Sequence, residues 1–301
     1  MRTSSSSSAS WPPLPLAGWR DTYATLHMWS QIVGKLCLTM TPLVNHWWNV
    51  AFHLTGRGLT TPPLRAGVRT LTIRFDFIDH MLLIECSDGG SELMPLAPRT
   101  VAAFYTEIMQ RLARLGIAVH IWPMPVEIPD PIRFEEDVTH HAYDPASANA
   151  FWRTLASMYP VFERFRGRFV GKFSPVHFFW GSFDLAVTRY SGERAPERPG
   201  ADSITREAYS HAVISHGFWP GGGAFDEPAF YAYAAPEPPG FKDVRAEPPE
   251  AFYSRDFNEF LLPYDAVRTA PSPEAALTGF LETTYDRAAE LAGWNRSALE
   301  R

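Results

Sequence analysis

A chain of 301 residues, 46% hydrophobic and 20% charged, can bury a substantial core and is too apolar to be disordered throughout. Its net charge of −6, with no basic run, excludes the broad positive footprint of a nucleic-acid binder. No stretch approaches the ~20 consecutive apolar residues of a bilayer span, so no membrane partner is expected and the cytoplasm is the expected compartment.

The first ten residues, MRTSSSSSAS, read as a disordered polar tail, because no apolar segment of a secretory signal follows before WPPLP. Residues 22–34 carry Tyr23, Leu26, Trp29 and Val33 near helical spacing, with Gly34 as a stop. The runs 35–41, 47–55, 69–77 and 80–87 are rich in β-formers, and the last two are close enough for a hairpin. A helix is predicted over 98–115 from the stripe Val101, Phe104, Tyr105, Ile108, Leu112 and Leu115, ended by Gly116, and a strand over 117–122. The proline-rich PMPVEIPDP (123–131) forbids regular structure.

Asp144-Pro145 opens a second long helix, with Pro160 inside it. Strands are predicted at 176–180, 183–190, 208–219, 229–234 and 259–264. Ser272-Pro273-Glu274 opens the last helix, closed by Gly293. The two cysteines, Cys37 and Cys86, lie in apolar runs and read as buried reduced thiols.

The order helix, antiparallel strands, helix occurs twice. TPLVNHWWNVAFHLT (41–55) also lies over SPVHFFWGSFDLAVT (174–188) without a gap, Trp47 meeting Trp180. The expected fold is α+β, with two similar halves, each an antiparallel sheet flanked by helices, as a pseudo-duplication. Residues 11–122 form the first half, 123–143 the connecting segment and 144–301 the second half. With period two, Val50, Phe52 and Leu54 share a core face, as do Phe183, Leu185 and Val187. The other face carries Trp47, Asn49 and His53 in the first copy, and Trp180, Ser182 and Asp184 in the second.

His177, His211, His216 and Asp184 are the best set of metal ligands, but no HxxxH, HExxH or CxxC spacing supports them; no metal and no cofactor is expected. Asp184 inside an apolar strand needs a partner such as Arg189 or Lys172, and next to His177 it would make an acid–base pair. The plain alternative is a solvated Asp or a structural ion pair. WGSFD around Ser182 is not a nucleophile elbow, and PGGGAFDEP (220–228) lacks the Lys and helix of a phosphate loop.

The segments WPPLPLAGWRDTYATLHMW, FDFIDH, VGKFSPVHFFWGSFDLAVTR, GFWPGGG and LPYDAVR resemble a bacterial family known as domain of unknown function 5996. The resemblance runs from Trp11 to about Leu299 and implies one family unit; no activity, cofactor or site residue comes with it.

Three functions fit the residues. The first is binding of a small molecule in an aromatic groove lined by Trp47, Asn49, His53, His177, Trp180, Ser182 and Asp184, with 217–223, including Trp219, as its rim. The second is an enzyme using His177 and Asp184 as acid and base. The third is a structural or partner-binding protein, oligomeric through the aromatic face.

Overall fold

The computed structural model describes residues 11–222 and 225–301, so the expected polar tail at 1–10 lies outside the described residues. By its contacts the chain divides into two units. One comprises Ala17–Trp152 and His177–Asp184; the other takes the described residues up to Leu16, with Arg153–Val176 and Leu185–Arg301.

In the first unit, α1 (Arg20–Met40) is buried on every side from Thr25 to Cys37. The strand expected at 35–41 is instead the last part of this helix. A helix apolar all round leaves no period to distinguish it from a buried strand. Thr39 and Thr41 satisfy its final turns by donating their hydroxyls to the carbonyls of Lys35 and Cys37.

The strand expected at 47–55 shrinks to β1 (His53–Thr55). Before it the chain makes a 3-10 turn at Asn45–Trp47, with His46 and Trp47 at φ 58° and 61°. Asn49 fixes that turn: its Oδ1 accepts from the Val44 N–H, and its Nδ2 donates to Thr41 Oγ1. Residues rich in β propensity are thus overridden by a local side-chain staple.

The sheet continues through β2 (Gly58–Thr60), β3 (Leu64–Ala66), β4 (Arg69–Asp76), β5 (Met81–Cys86) and β6 (Ser91–Pro95). It is antiparallel in the order β1-β2-β4-β5-β6, with β3 also paired to β4. The expected hairpin joins β4 to β5 in the register Asp76↔Met81, and the Asp76 carboxylate accepts the Ile78 and Asp79 N–H groups in its turn. Period two puts Leu71, Ile73 and Phe75 of β4 and Leu82 and Ile84 of β5 in the core.

In α2 (Val101–Arg114), Thr100 caps the N-terminus through the Ala103 N–H, and Val101, Phe104, Ile108 and Leu112 are buried as one stripe. Phe104 stacks on Trp29 of α1, ring centroids 4.7 Å apart. The strand expected at 117–122 does not form. Ile117 and Ile121 are buried, but the backbone around them joins no ladder among the described residues. The unit also holds β7 (His177–Phe179), whose Phe178 exchanges both backbone hydrogen bonds with Phe52.

The helix α3 (Pro145–Gly167) is divided between the units at Arg153. The second unit contains β8 (Asp184–Arg194) from Leu185 onward, α4 (Ser203–Ala208), β9 (His211–Trp219), β10 (Ala229–Ala235), β11 (Phe252–Ser254), β12 (Glu259–Pro263), α5 (Tyr264–Arg268), α6 (Pro273–Leu291) and α7 (Arg296–Leu299). Its strands are antiparallel in the order β11-β12-β10-β9-β8. Ser272 caps α6, whose Leu277, Phe280, Leu281, Thr284, Tyr285 and Ala288 are buried.

Each unit therefore sets an antiparallel sheet against helices, which is the expected α+β class. The aligned segments nevertheless fold differently. Residues 41–52 are a helix end and a turn, whereas 174–188 are strand, tight turn and strand.

Candidate functional site

The turn between β7 and β8 holds one of the left-handed non-glycine residues of the first unit. Phe183 sits at φ 58°, a left-handed conformation costing on the order of 1–3 kcal/mol for a bulky residue. Its ring stacks on Phe151 at 5.1 Å and meets Phe178 and Tyr23 edge-on at 5.0 and 5.2 Å. That burial holds the strained backbone in place. The residues on either side are polar: Ser182 is exposed, Asp184 is 7% exposed, and Ser182 Oγ donates to Asp184 Oδ1 at 2.6 Å.

Helix α1 fixes the turn from below. His27 Nε2 lies 3.0 and 2.8 Å from the carbonyl oxygens of Trp180 and Gly181, so Nε2 carries the proton and donates to both. Burial pulls the His27 pKa down to about 4, so the ring is neutral at pH 7. One helical turn on, Gln31 grips a second loop: its Oε1 accepts from the Val126 N–H and its Nε2 donates to the Val126 carbonyl.

The residue after Val126 is Glu127, also left-handed at φ 57°. Glu127 is exposed as a residue, but its carboxylate turns inward over Gly181. A Cβ at 181 would stand 2.5 Å from Glu127 Oε1. Burial of that carboxylate, and then the charge of Asp184, raise the Glu127 pKa above the ordinary carboxyl value. Two strained, non-glycine positions thus bring two carboxyl groups and a hydroxyl together at an exposed turn. Such a group can hold a proton between two acids, or accept several hydrogen bonds from one cationic donor.

The other expected site residues lie elsewhere. His177 is 1% exposed, its ring 5.1 Å from His53, 5.9 Å from Phe179 and 6.3 Å from Trp48. Burial lowers the pKa of His53. Rings of His53, Phe179 and Trp48 lie beside His177, and Ser182 and Glu127 act on Asp184. Trp180 is a core side chain, stacked over Gly34 and donating its Nε1–H to the Val50 carbonyl at 2.8 Å. Asn49 serves the turn before β1, and Trp47 is half-buried in that same turn. Trp219 belongs to the second unit, near Phe225 and Phe257 at 6.4 and 6.2 Å. Of the expected rim, residue 223 lies outside the described residues.

Glu127 was not among the expected site residues. In the sequence it is one of two acids, with Asp130, in the proline-rich run 123–131, where no periodicity assigns either of them to a face.

Among the described residues no helix is long and apolar enough to cross a membrane, and no group of three or more His, Cys, Asp or Glu side chains could hold a metal ion. No curated protein and no solved structure matches the chain. A family model does match, over residues 11–301, and includes the β7–β8 turn, the Val126–Glu127 loop and the helix that holds both. The chain belongs to that family, a family of unknown function, DUF5996.

Proposed function

We propose that the protein binds a small molecule through a protonated amine held by Asp184 and Glu127, with Ser182 at the rim. The observation that carries this reading is the Glu127 carboxylate, which lies over Gly181 and within the electrostatic reach of Asp184, with Glu127 itself and the Phe183 beside Asp184 both left-handed. Strained backbone that brings like charges together opposes folding, so its persistence favours a use for it. An ammonium would donate to both carboxylates, and the Phe183 cluster behind the turn keeps the groups in position before the ligand arrives.

The test is a titration with ethanolamine and with methylamine, followed through the amide signals of Gly181 and Ser182 by NMR. Saturable shifts are expected, with affinity for these fragments of roughly millimolar, about −4 kcal/mol. The double variant Asp184→Asn/Glu127→Gln should lose them while keeping its fold. Equal shifts in wild type and double variant would overturn the assignment.

Glu127 also supports a second reading, acid–base catalysis. A carboxyl with a raised pKa beside an ionised one is the arrangement of a general acid with its base. In this reading Glu127 takes the part that the sequence assigns to His177. A substrate that still binds Glu127→Gln but no longer reacts would select catalysis over binding alone.

A further inference from the structure

The second unit buries an arginine that has no carboxylate of its own. Arg189 of β8 is 3% exposed, and no ion pair to it is found among the described residues. Its guanidinium lies 3.5 Å from the Phe165 ring centroid, 4.1 Å from that of Tyr285 and 5.2 Å from that of Phe169. One Nη donates to the Phe165 carbonyl, and the Nε–H is buried without a hydrogen-bond partner. Aromatic rings serve the faces of a guanidinium, whereas its N–H groups point outward from the edge and need acceptors.

Arg189 lines a cavity of about 100 Å³. Its walls come from the end of α3 (Phe165, Arg168), from α6 (Glu282, Tyr285, Asp286) and from the C-terminal segment (Arg296, Glu300, Arg301). Backbone bonds from Val170 to Leu299 and from Arg301 to Arg168 close that segment over it. Four arginines thus face three carboxylates. Arg168 is paired with Glu282, and Arg296 with Asp286 and Glu300; of the two arginines left without an ion pair among the described residues, Arg301 is exposed and Arg189 is buried. Tyr285 donates its proton to Glu300 and offers Arg189 a hydroxyl lone pair, so it serves one guanidinium N–H and leaves the Nε–H without an acceptor.

His216, on β9 near Phe165, adds no second positive charge beside Arg189. Its Nε2–H donates to Thr284 Oγ1, whose own proton goes to the Phe280 carbonyl. Burial and Arg189 together hold the imidazole pKa near 3, so the ring stays neutral.

We infer that this cavity is a binding site for one small oxyanion, a phosphate or carboxylate group, held by the Arg189 guanidinium. The cavity has the volume of roughly three waters and is far below the ~300 Å³ of pockets that take whole cofactors, so the ligand is an isolated anion or a terminal anionic group. Arginine presents its N–H groups in the fork that matches such oxygens.

The experiment follows the side-chain Nε–H signal of Arg189 by ¹H–¹⁵N NMR in the full chain. Sodium phosphate and sodium acetate are titrated separately, against sodium chloride at equal ionic strength. A saturable shift with phosphate alone identifies a phosphate site, and one with acetate identifies a carboxylate site. Shifts that merely follow ionic strength, the same in all three salts, overturn the inference. Arg189→Lys removes that signal, so its titration is read from the backbone amides of Phe165 and Tyr285, which line the same cavity, and should no longer saturate. Should that variant fail to fold, the exposed Arg168→Gln decides: affinity about two- to fivefold weaker is expected, and unchanged affinity for the anion counts against the site.

Discussion

Gly34 of α1 is the seat of the Trp180 indole: a Cβ added at 34 would fall inside the ring, overlapping its Cγ, Cδ2 and Cε2. Glycine to alanine within a helix ordinarily stabilises by roughly 0.5–1 kcal/mol. Here the sign reverses, because the indole must leave its place and give up the hydrogen bond to the Val50 carbonyl. Gly34→Ala should lower unfolding stability by about 1–3 kcal/mol, measured by urea denaturation.

Replacing Gly181 tests a different contact. A Cβ there meets only the end of the flexible Glu127 side chain, and Gly181 does not occupy the left-handed region. Gly181→Ala should therefore fold normally and push the Glu127 carboxylate away from Asp184. A ¹³C titration of the Glu127 carboxyl should show its pKa returning towards about 4.3.

Glu127 itself gives a pH signature. Its folded pKa lies above the unfolded one, so the folded state binds the proton more tightly. The associated stability is complete below about pH 4.3 and is lost as pH rises through the folded value. Glu127→Gln should be more stable than wild type at about pH 7, with the difference vanishing near pH 4, in paired urea melts.

His27 and His216, both buried, act in the opposite sense. Burial brings His27 to about 4 and His216 to about 3, against about 6.5 when unfolded. Their contribution is complete above pH 6.5 and falls away as the solution is acidified towards the folded values. Each unit holds one of them, so unfolding of either should weaken by about 1.4 kcal/mol per pH unit between roughly pH 6 and 4.5. Substituting His216 with Gln should flatten that slope in the second unit only.

Much of the fold is legible in the sequence where one face is wet and the other dry. The stripe through Phe104, Ile108 and Leu112, the alternation through Leu71, Ile73 and Phe75, and the caps at Thr100 and Ser272 all depend on near neighbours. Residues 35–40 are not legible as helix, because burial on every side runs on as far as Cys37 and the six residues left, KLCLTM, are too short a window to show a period. The strand expected at 47–55 failed for another reason: Trp47, Val50 and Phe52 have strand composition, but Asn49 and two left-handed residues turn the chain first.

The site divides in the same way. Ser182 and Asp184 stand out as polar residues two apart in an apolar run, and they are in contact. Glu127 joins them only through tertiary structure, since Gly181 lies 54 positions further along the chain and no local pattern links the two. The matched words around Trp47 and Trp180 likewise promise a shared face, yet one indole lies in a turn and the other in the core.

His27 and Gln31 stand one turn apart on α1, and each holds one of the two loops that carry an acid. Four residues of α-helix advance about 6 Å, so the helix works as a ruler whose two marks set the spacing of Asp184 and Glu127. Inserting or deleting a single residue between those marks would rotate one of them by about 100° and release its loop, parting the carboxyl groups without altering either acid.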